Sequence, residues 1–243
     1  LADEKARKGK LRTYGVIEHD KKREANLLKL RETLLNGTFH TSKYDVFTIY
    51  EPKEREIYRL PYFPDRILHH AIMNVLEPIW VSTFTADTYS CIKNRGIHAA
   101  AKKVKQALRE DPEGTTFCLK LDIRKFYPSI NHDVLKSILR RKLKDKRLLR
   151  LLDEIIDSAD GVPIGNYLSQ YFANLYLTYF DHWIKEQKRV KHYFRYADDI
   201  VILASDKSYL HSLMGEIRAY LGDLKLEVKG NWQVFPVAAR GID

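Results

Sequence analysis

Two runs of strand-forming residues, KHYFRY (191–196) and IVILA (200–204), are separated only by Ala197-Asp198-Asp199. So short a connection leaves one option, a tight antiparallel hairpin with acids at its tip. The apolar run IVIL predicts a strand covered on both faces, hence a central one. A chain built round such a hairpin has to supply strands to flank it and helices to cover it. Adjacent aspartates alone are a weak signal, because Asp serves turns as readily as chemistry.

The rest of the chain supplies those elements. KKREANLLKLRETLL (21–35) has helical spacing and stops at Asn36-Gly37; the Asn36-Gly37-Thr38 acceptor pattern reads as a turn. Residues 44–50 and 55–60 alternate on either side of Pro52, predicting a basic hairpin. A helix is predicted over 65–76, ended by Glu77-Pro78, and another over 97–109, entered through Asn94-Arg95-Gly96. TTFCLKLD (115–122) alternates as a strand ending at Asp122. A charged helical region covers roughly 132–158, up to the Gly161–Gly165 break. Leu168, Phe172, Leu175, Tyr179 and Trp183 then sustain one helix over several turns. Residues 207–221 form a further helix and 224–237 short terminal strands. The fold class is α+β, with helices against one face of a mainly antiparallel sheet.

Charge narrows the partner. Against 32 acidic residues stand 42 Lys and Arg, a net +10, which favours a polyanion, most simply nucleic acid. Hydrophobic residues at 44% exclude general disorder. No apolar run is long enough for a membrane span, and the start, LADEKARKGK, is not signal-like, so a soluble cytoplasmic chain is expected. Cys91 and Cys118 belong to no CxxC pair, and the histidines show no ligand spacing, so neither a disulfide framework nor a zinc site is expected.

Asp122 at a strand end and Asp198-Asp199 at a hairpin tip would place three carboxylates on one sheet edge. Each has a plain alternative use, turn chemistry for the pair and a cap for Asp122. Together they are costly, because no cation is evident from sequence to neutralise them. Oxygen-seeking Mg²⁺ would relieve the repulsion, and two-metal phosphoryl transfer needs such carboxylates.

Tyr196-Ala197-Asp198-Asp199 resembles the YxDD motif of reverse transcriptases, and KLDIRKFYPSI resembles their first palm motif. The resemblance continues through LPYFPDRILHHAIMNVLEPIW, DTYSCIKNRGIHAA and GVPIGNYLSQYFANLYL, in family order over about residues 50 to 243. The stretch Ile164-Gly165-Asn166-Tyr167-Leu168-Ser169-Gln170 is most similar to the enzymes of diversity-generating retroelements, which copy a template RNA with frequent errors at adenines. The resemblance implies a right-hand polymerase fold: a basic N-terminal extension (1–20), fingers (21–115) and palm (116–243, with a helical segment at 132–160), the thumb largely absent from this chain.

It also implies roles. Asp122, Asp198 and Asp199 would be the catalytic, metal-binding triad for two Mg²⁺ ions, with Mn²⁺ a possible substitute, and Ile123 would join the metal set and offer its backbone amide near the triphosphate. Phe126, in preference to Tyr127, would bar a ribose 2′-hydroxyl, although either ring could be ordinary palm packing. Lys53, Arg55 and Arg66 would clamp the incoming triphosphate, or form a solvated basic face. Ile164 and Gly165 would sit beneath the templating pair, where an apolar Ile relaxes checking. Gln170, read as an amide on a buried helix, is as ready to satisfy a backbone group as to touch nucleic acid. Lys93, Arg95 and Tyr196 would contact nucleic acid.

The implied partners are template RNA, primer and cDNA, deoxynucleotide triphosphates and a small basic accessory protein, with no membrane. Two departures from the family pattern stand out. Trp232 occupies the place of a lysine able to protonate pyrophosphate, with Lys229 as a substitute, and the chain stops about where a thumb would begin. Rival readings are a group II intron, retron or antiphage-defence reverse transcriptase, or a non-catalytic RNA-binding module of the same fold.

Overall fold

A computed structural model describes residues 1–50 and 54–242. The chain forms two compact units, Leu1–Ser82 with Leu135–Phe172, and Thr83–Val134 with the chain from Ala173 onward. The first unit holds a two-stranded antiparallel sheet, β1 (Asp45–Ile49) and β2 (Arg55–Arg59). The second holds a four-stranded antiparallel sheet of β3 (Phe117–Asp122), β4 (His192–Tyr196), β5 (Asp199–Ala204) and β6 (Gln233–Pro236), in the order β4-β5-β3-β6.

The central position of β5 follows from its sequence: Ile200, Ile202 and Leu203 are buried between β4 and β3. Alternation divides the sheet. One face carries Phe194, Leu203 and Cys118, capped by Ala100, Val104 and Ala107 of the helix Ile97–Glu110. On the other, Tyr193 meets Phe180, which meets Tyr220 of the helix Lys207–Asp223. That helix is N-capped by Asp206, which accepts from the Ser208 amide at 2.7 Å, and it buries Leu210, Leu213, Met214, Ile217 and Leu221. Helices therefore cover both faces, not one; the two-faced apolarity of IVIL requires a second cover.

Three further helix expectations shift. The helix begun at Ile67 does not end at Glu77 but runs through Pro78 to Val81. Proline removes one backbone donor there, and burial of Trp80 against Tyr171 and Phe172 offsets the loss. The 132–158 region is two helices, His132–Lys142 and Lys146–Ile156; Asp145 caps the second by accepting from the Leu148 amide at 2.8 Å. The long helix expected after Gly165 is broken into Tyr167–Tyr176, Thr178–His182 and a wider turn at Trp183–Gln187. At its first break the Thr178 hydroxyl donates to the Asn174 carbonyl at 3.0 Å, competing with the helical ladder.

Of the terminal strands expected over 224–237 only β6 forms among the described residues, with an isolated bridge at Val228. The helix Arg23–Asn36 ends on Gly37 in the left-handed region, φ 65°, and the strands expected at 44–50 and 55–60 pair antiparallel as β1 and β2. Among the described residues no helix is long and apolar enough to cross a membrane.

Candidate active site

Tyr196 pairs with Asp199 across β4 and β5, so the turn contains only Ala197 and Asp198, and Asp199 already belongs to a strand. Ala197 takes φ 54°, the positive value that two-residue hairpin turns demand at their first position and that costs an alanine roughly 1 kcal/mol or more. On the other side of β5, Asp199 stands opposite Asp122, the last pair of the β3–β5 ladder. Register puts Tyr196, Asp199 and Asp122 on the same face of the sheet. The sequence expectation of three acids at one sheet edge is met in the backbone.

The side chains are unevenly arranged. Asp198 is within hydrogen-bonding reach of Asp122 and feels the charges of both Asp122 and Asp199. Burial first, and those neighbouring carboxylates second, push Asp198 up to about 6, against the pull of its own backbone amide. A cation is present after all: Lys229 Nζ lies 3.2 Å from Asp122 Oδ2. The sequence hid it because Lys229 is far along the chain, brought in when its amide donates to the Asp122 carbonyl at 2.9 Å. Among the described residues no group of three or more His, Cys, Asp or Glu side chains is gathered ready to hold a metal ion. The carboxylate of Asp198 is thus held against the charges of Asp122 and Asp199, an arrangement that repulsion makes unfavourable.

Ile123 contributes through its backbone. It bridges Val228, and the flanking bonds, Arg124 amide to Glu227 carbonyl at 2.8 Å and Lys229 amide to Asp122 carbonyl at 2.9 Å, mark a non-hydrogen-bonded pair. Its own N–H and C=O therefore turn away from Val228, toward the side of β5.

Beneath the tip lies a polar network that sequence reading missed. Arg195 and Asp181 are both fully buried, at 0% exposure, and paired through two bonds, Nε to Oδ1 at 2.7 Å and Nη2 to Oδ2 at 2.6 Å. Asp181 also accepts from the Tyr193 hydroxyl at 2.6 Å and the Thr88 hydroxyl at 3.0 Å. Arg195 Nη1 donates to Asn174 Oδ1 at 3.2 Å and to the Ala197 carbonyl, inside the turn, at 2.9 Å. A signal existed: HYFRY puts Arg195 in phase with Tyr193, on an inward face, and an inward arginine needs a buried acid. Asp181, an acid amid LYLTYFDHWI, was that acid.

The other candidates divide between the units. Phe126 is 2% exposed and meets Tyr127 edge-on at 5.7 Å. Tyr127 is less buried, and Asp198 is among the charges that raise its hydroxyl, after the main effect of burial. Lys93 is exposed, whereas Arg95 gives Nη1 to the Thr85 carbonyl at 2.8 Å and the Thr88 carbonyl at 3.0 Å, securing its own loop. In the first unit Arg55 is exposed at the start of β2, and Arg66 donates from Nε to the Ala6 carbonyl at 3.0 Å. Ile164 accepts at its carbonyl from the Tyr58 amide at 2.8 Å, and Gly165 has φ 115°. Gln170 is exposed rather than buried, since Ser169 and Tyr171 take the inward positions of that helix. Lys53 lies outside the described residues.

A family model described as reverse transcriptase (RNA-dependent DNA polymerase) matches residues 51–231. Protein YkfC of Escherichia coli is 26% identical over 82% of this chain and 64% of its own length. The group II intron-encoded protein LtrA of Lactococcus lactis is 23% identical over 72% of this chain and 31% of its own. Nuclear intron maturase 4, mitochondrial, of Arabidopsis thaliana is 27% identical over 63% and 20%. The chain thus spans less than two thirds of these relatives. Among solved structures, apo telomerase from Candida tropicalis, truncated of its C-terminal domain, superposes with a TM-score of 0.58 at 10% identity, over 88% of this chain and 55% of that one. At that identity the likeness carries the fold alone.

Proposed function

The chain belongs to the reverse transcriptase family, with the corresponding partial right-hand polymerase fold, and on that premise we propose that it copies template RNA into DNA at the 192–204 hairpin tip. One observation carries the reading: Asp198 meets Asp122, which stands in register with Asp199, at the shared end of β3 and β5. The carboxylate donors there are oxygens, the chemistry of a site for Mg²⁺ or Mn²⁺, and a cation would relieve the repulsion. Asp122, Asp198 and Asp199, with the Ile123 carbonyl, would hold two such ions. Bound there, the ions would supply acidification of the primer 3′-hydroxyl and neutralisation of the leaving pyrophosphate.

The chain's own groups complete the scheme. We assign ribose discrimination to Tyr127 rather than Phe126, because a ring 2% exposed has little surface left to offer a sugar. Arg55 and Arg66, with Lys53, are the candidates for the triphosphate, Ile164, Gly165 and Gln170 for the templating pair, and Lys93, Arg95 and Tyr196 for nucleic acid. In this scheme 21–115 acts as fingers and 116–243 as palm. A cytoplasmic setting would keep the free thiols of Cys91 and Cys118 reduced.

For the subgroup, the IGNYLSQ stretch supports a diversity-generating retroelement, with error-prone copying at template adenines and a small basic accessory protein. A second reading, an intron-type enzyme, is favoured by the likeness to LtrA and to a nuclear intron maturase. Both are tested by Mg²⁺-dependent primer extension on an adenine-containing RNA, wild type beside Asp198→Ala, with the products sequenced. Extension by the wild type alone supports the polymerase; errors concentrated at adenines select the retroelement, accurate copies the intron type. Tight RNA binding with no extension, the accessory protein present, would replace both with an RNA-binding module.

A further inference from the structure

We propose that Arg195 is a positioning residue for the hairpin tip: anchored by Asp181, its guanidinium grips the Ala197 carbonyl and thereby fixes where Asp198 points. The inference rests on the tip being the polymerising centre. A two-residue hairpin turn has two forms, which differ by a flip of the peptide between its central residues. Here that peptide joins Ala197 to Asp198, so its orientation sets the direction in which the Asp198 side chain leaves the backbone. The bond from Arg195 Nη1 to the Ala197 carbonyl, 2.9 Å, selects one form.

Arg195 cannot follow a flip, because it is held on every side. Asp181 takes Nε and Nη2 at 2.7 and 2.6 Å, and Asn174 shares Nη1 at 3.2 Å. Its own amide donates to the Asp87 carbonyl at 2.9 Å, and its carbonyl accepts from the Tyr89 amide at 2.9 Å. Asp181 is in turn fixed by the hydroxyls of Tyr193 and Thr88. As a device for stability alone such a buried pair is poor, since packed apolar residues do as well at lower desolvation cost. A rigid donor aimed at a strained turn is something apolar residues cannot provide. Lysine cannot provide it either, because a single ammonium lacks the planar fork that engages Asp181 and the turn together.

Three full-length variants test this: Arg195→Lys; Arg195→Met combined with Asp181→Leu, which removes both charges and keeps the fold if the lysine variant does not melt cooperatively; and Asp198→Ala. Mn²⁺ binding by electron paramagnetic resonance, hydrogen exchange over 193–205 and primer extension are measured on folded protein. The clamp predicts Mn²⁺ affinity down about tenfold, faster exchange confined to the turn, and extension down about a hundredfold. A folded clamp variant with wild-type exchange, Mn²⁺ affinity and extension, beside an inactive Asp198→Ala, overturns the inference and leaves the polymerase intact. An Asp198→Ala protein that binds Mn²⁺ and extends like wild type removes Asp198 from the mechanism and overturns the clamp, whereas a folded wild-type protein that does not extend overturns the polymerase reading.

Discussion

Asp198 is the residue on which chemistry and stability pull apart. Its carboxyl titrates at about 6 in the folded chain against an ordinary 3.8, so between those values the folded state binds more protons than the unfolded one. The favourable contribution is fully present below about 3.8 and is lost as pH rises through about 6. Asp198→Asn, which abolishes the charge, is therefore expected to stabilise the ion-free protein at pH 8 by about 1–2 kcal/mol, discounted for partial exposure, and to change little at pH 4. Thermal melts in chelator at both pH values check this; equal shifts at both would sink it. Lys229 makes the complementary case. Lys229→Met removes the ammonium 3.2 Å from Asp122, so melting should fall in chelator and recover when Mg²⁺ is added. A loss that Mg²⁺ does not restore would mean that Lys229 matters for packing rather than for charge.

At the scale of elements, the loop 161–165 is tied to β2 by the bond between the Tyr58 amide and the Ile164 carbonyl. Gly165 permits this approach twice over. Its φ of 115° suits glycine, and an added Cβ would lie 3.0 Å from Ile57 Cγ2 and 3.1 Å from the Tyr58 carbonyl oxygen. Gly165→Ala should cost about 1–3 kcal/mol, read as a lower melting temperature; an unchanged melt would show that the loop is not held to β2. Alternation and turn chemistry made the strands and the acidic tip legible, because both signals are local. Breaks within helices were less so: continuing through Pro78 depends on Trp80 finding Tyr171 and Phe172, some ninety residues away in sequence. The partner of Asp122 was hidden for the same reason: Lys229, 107 residues on, becomes its neighbour only after the sheet has formed.

For the molecule as a whole, the net charge of +10 has a consequence at a distance. Some cations are paired with acids, as Lys136 is with Asp157 and Arg140 with Asp153. Others stay at the surface, notably Lys142, Lys144, Lys146 and Arg147 between and along the helices His132–Lys142 and Lys146–Ile156. Phosphate contacts release counterions, so binding through such a surface weakens steeply with salt. Affinity for a single-stranded RNA should fall by at least about tenfold between 50 and 200 mM salt if several cations engage phosphates. Substituting glutamine at Lys142, Lys144 and Lys146 together should lessen that slope if this surface takes part, without touching the hairpin tip. The two effects separate cleanly in a titration. A triple variant with reduced slope and unchanged extension at saturating RNA places the polyanion on this surface, whereas an unchanged slope assigns it to cations elsewhere on the molecule. Salt-independent binding by the wild type would remove the electrostatic argument altogether, leaving recognition to the exposed aromatic and apolar groups of the first unit, such as Phe47 and Tyr50.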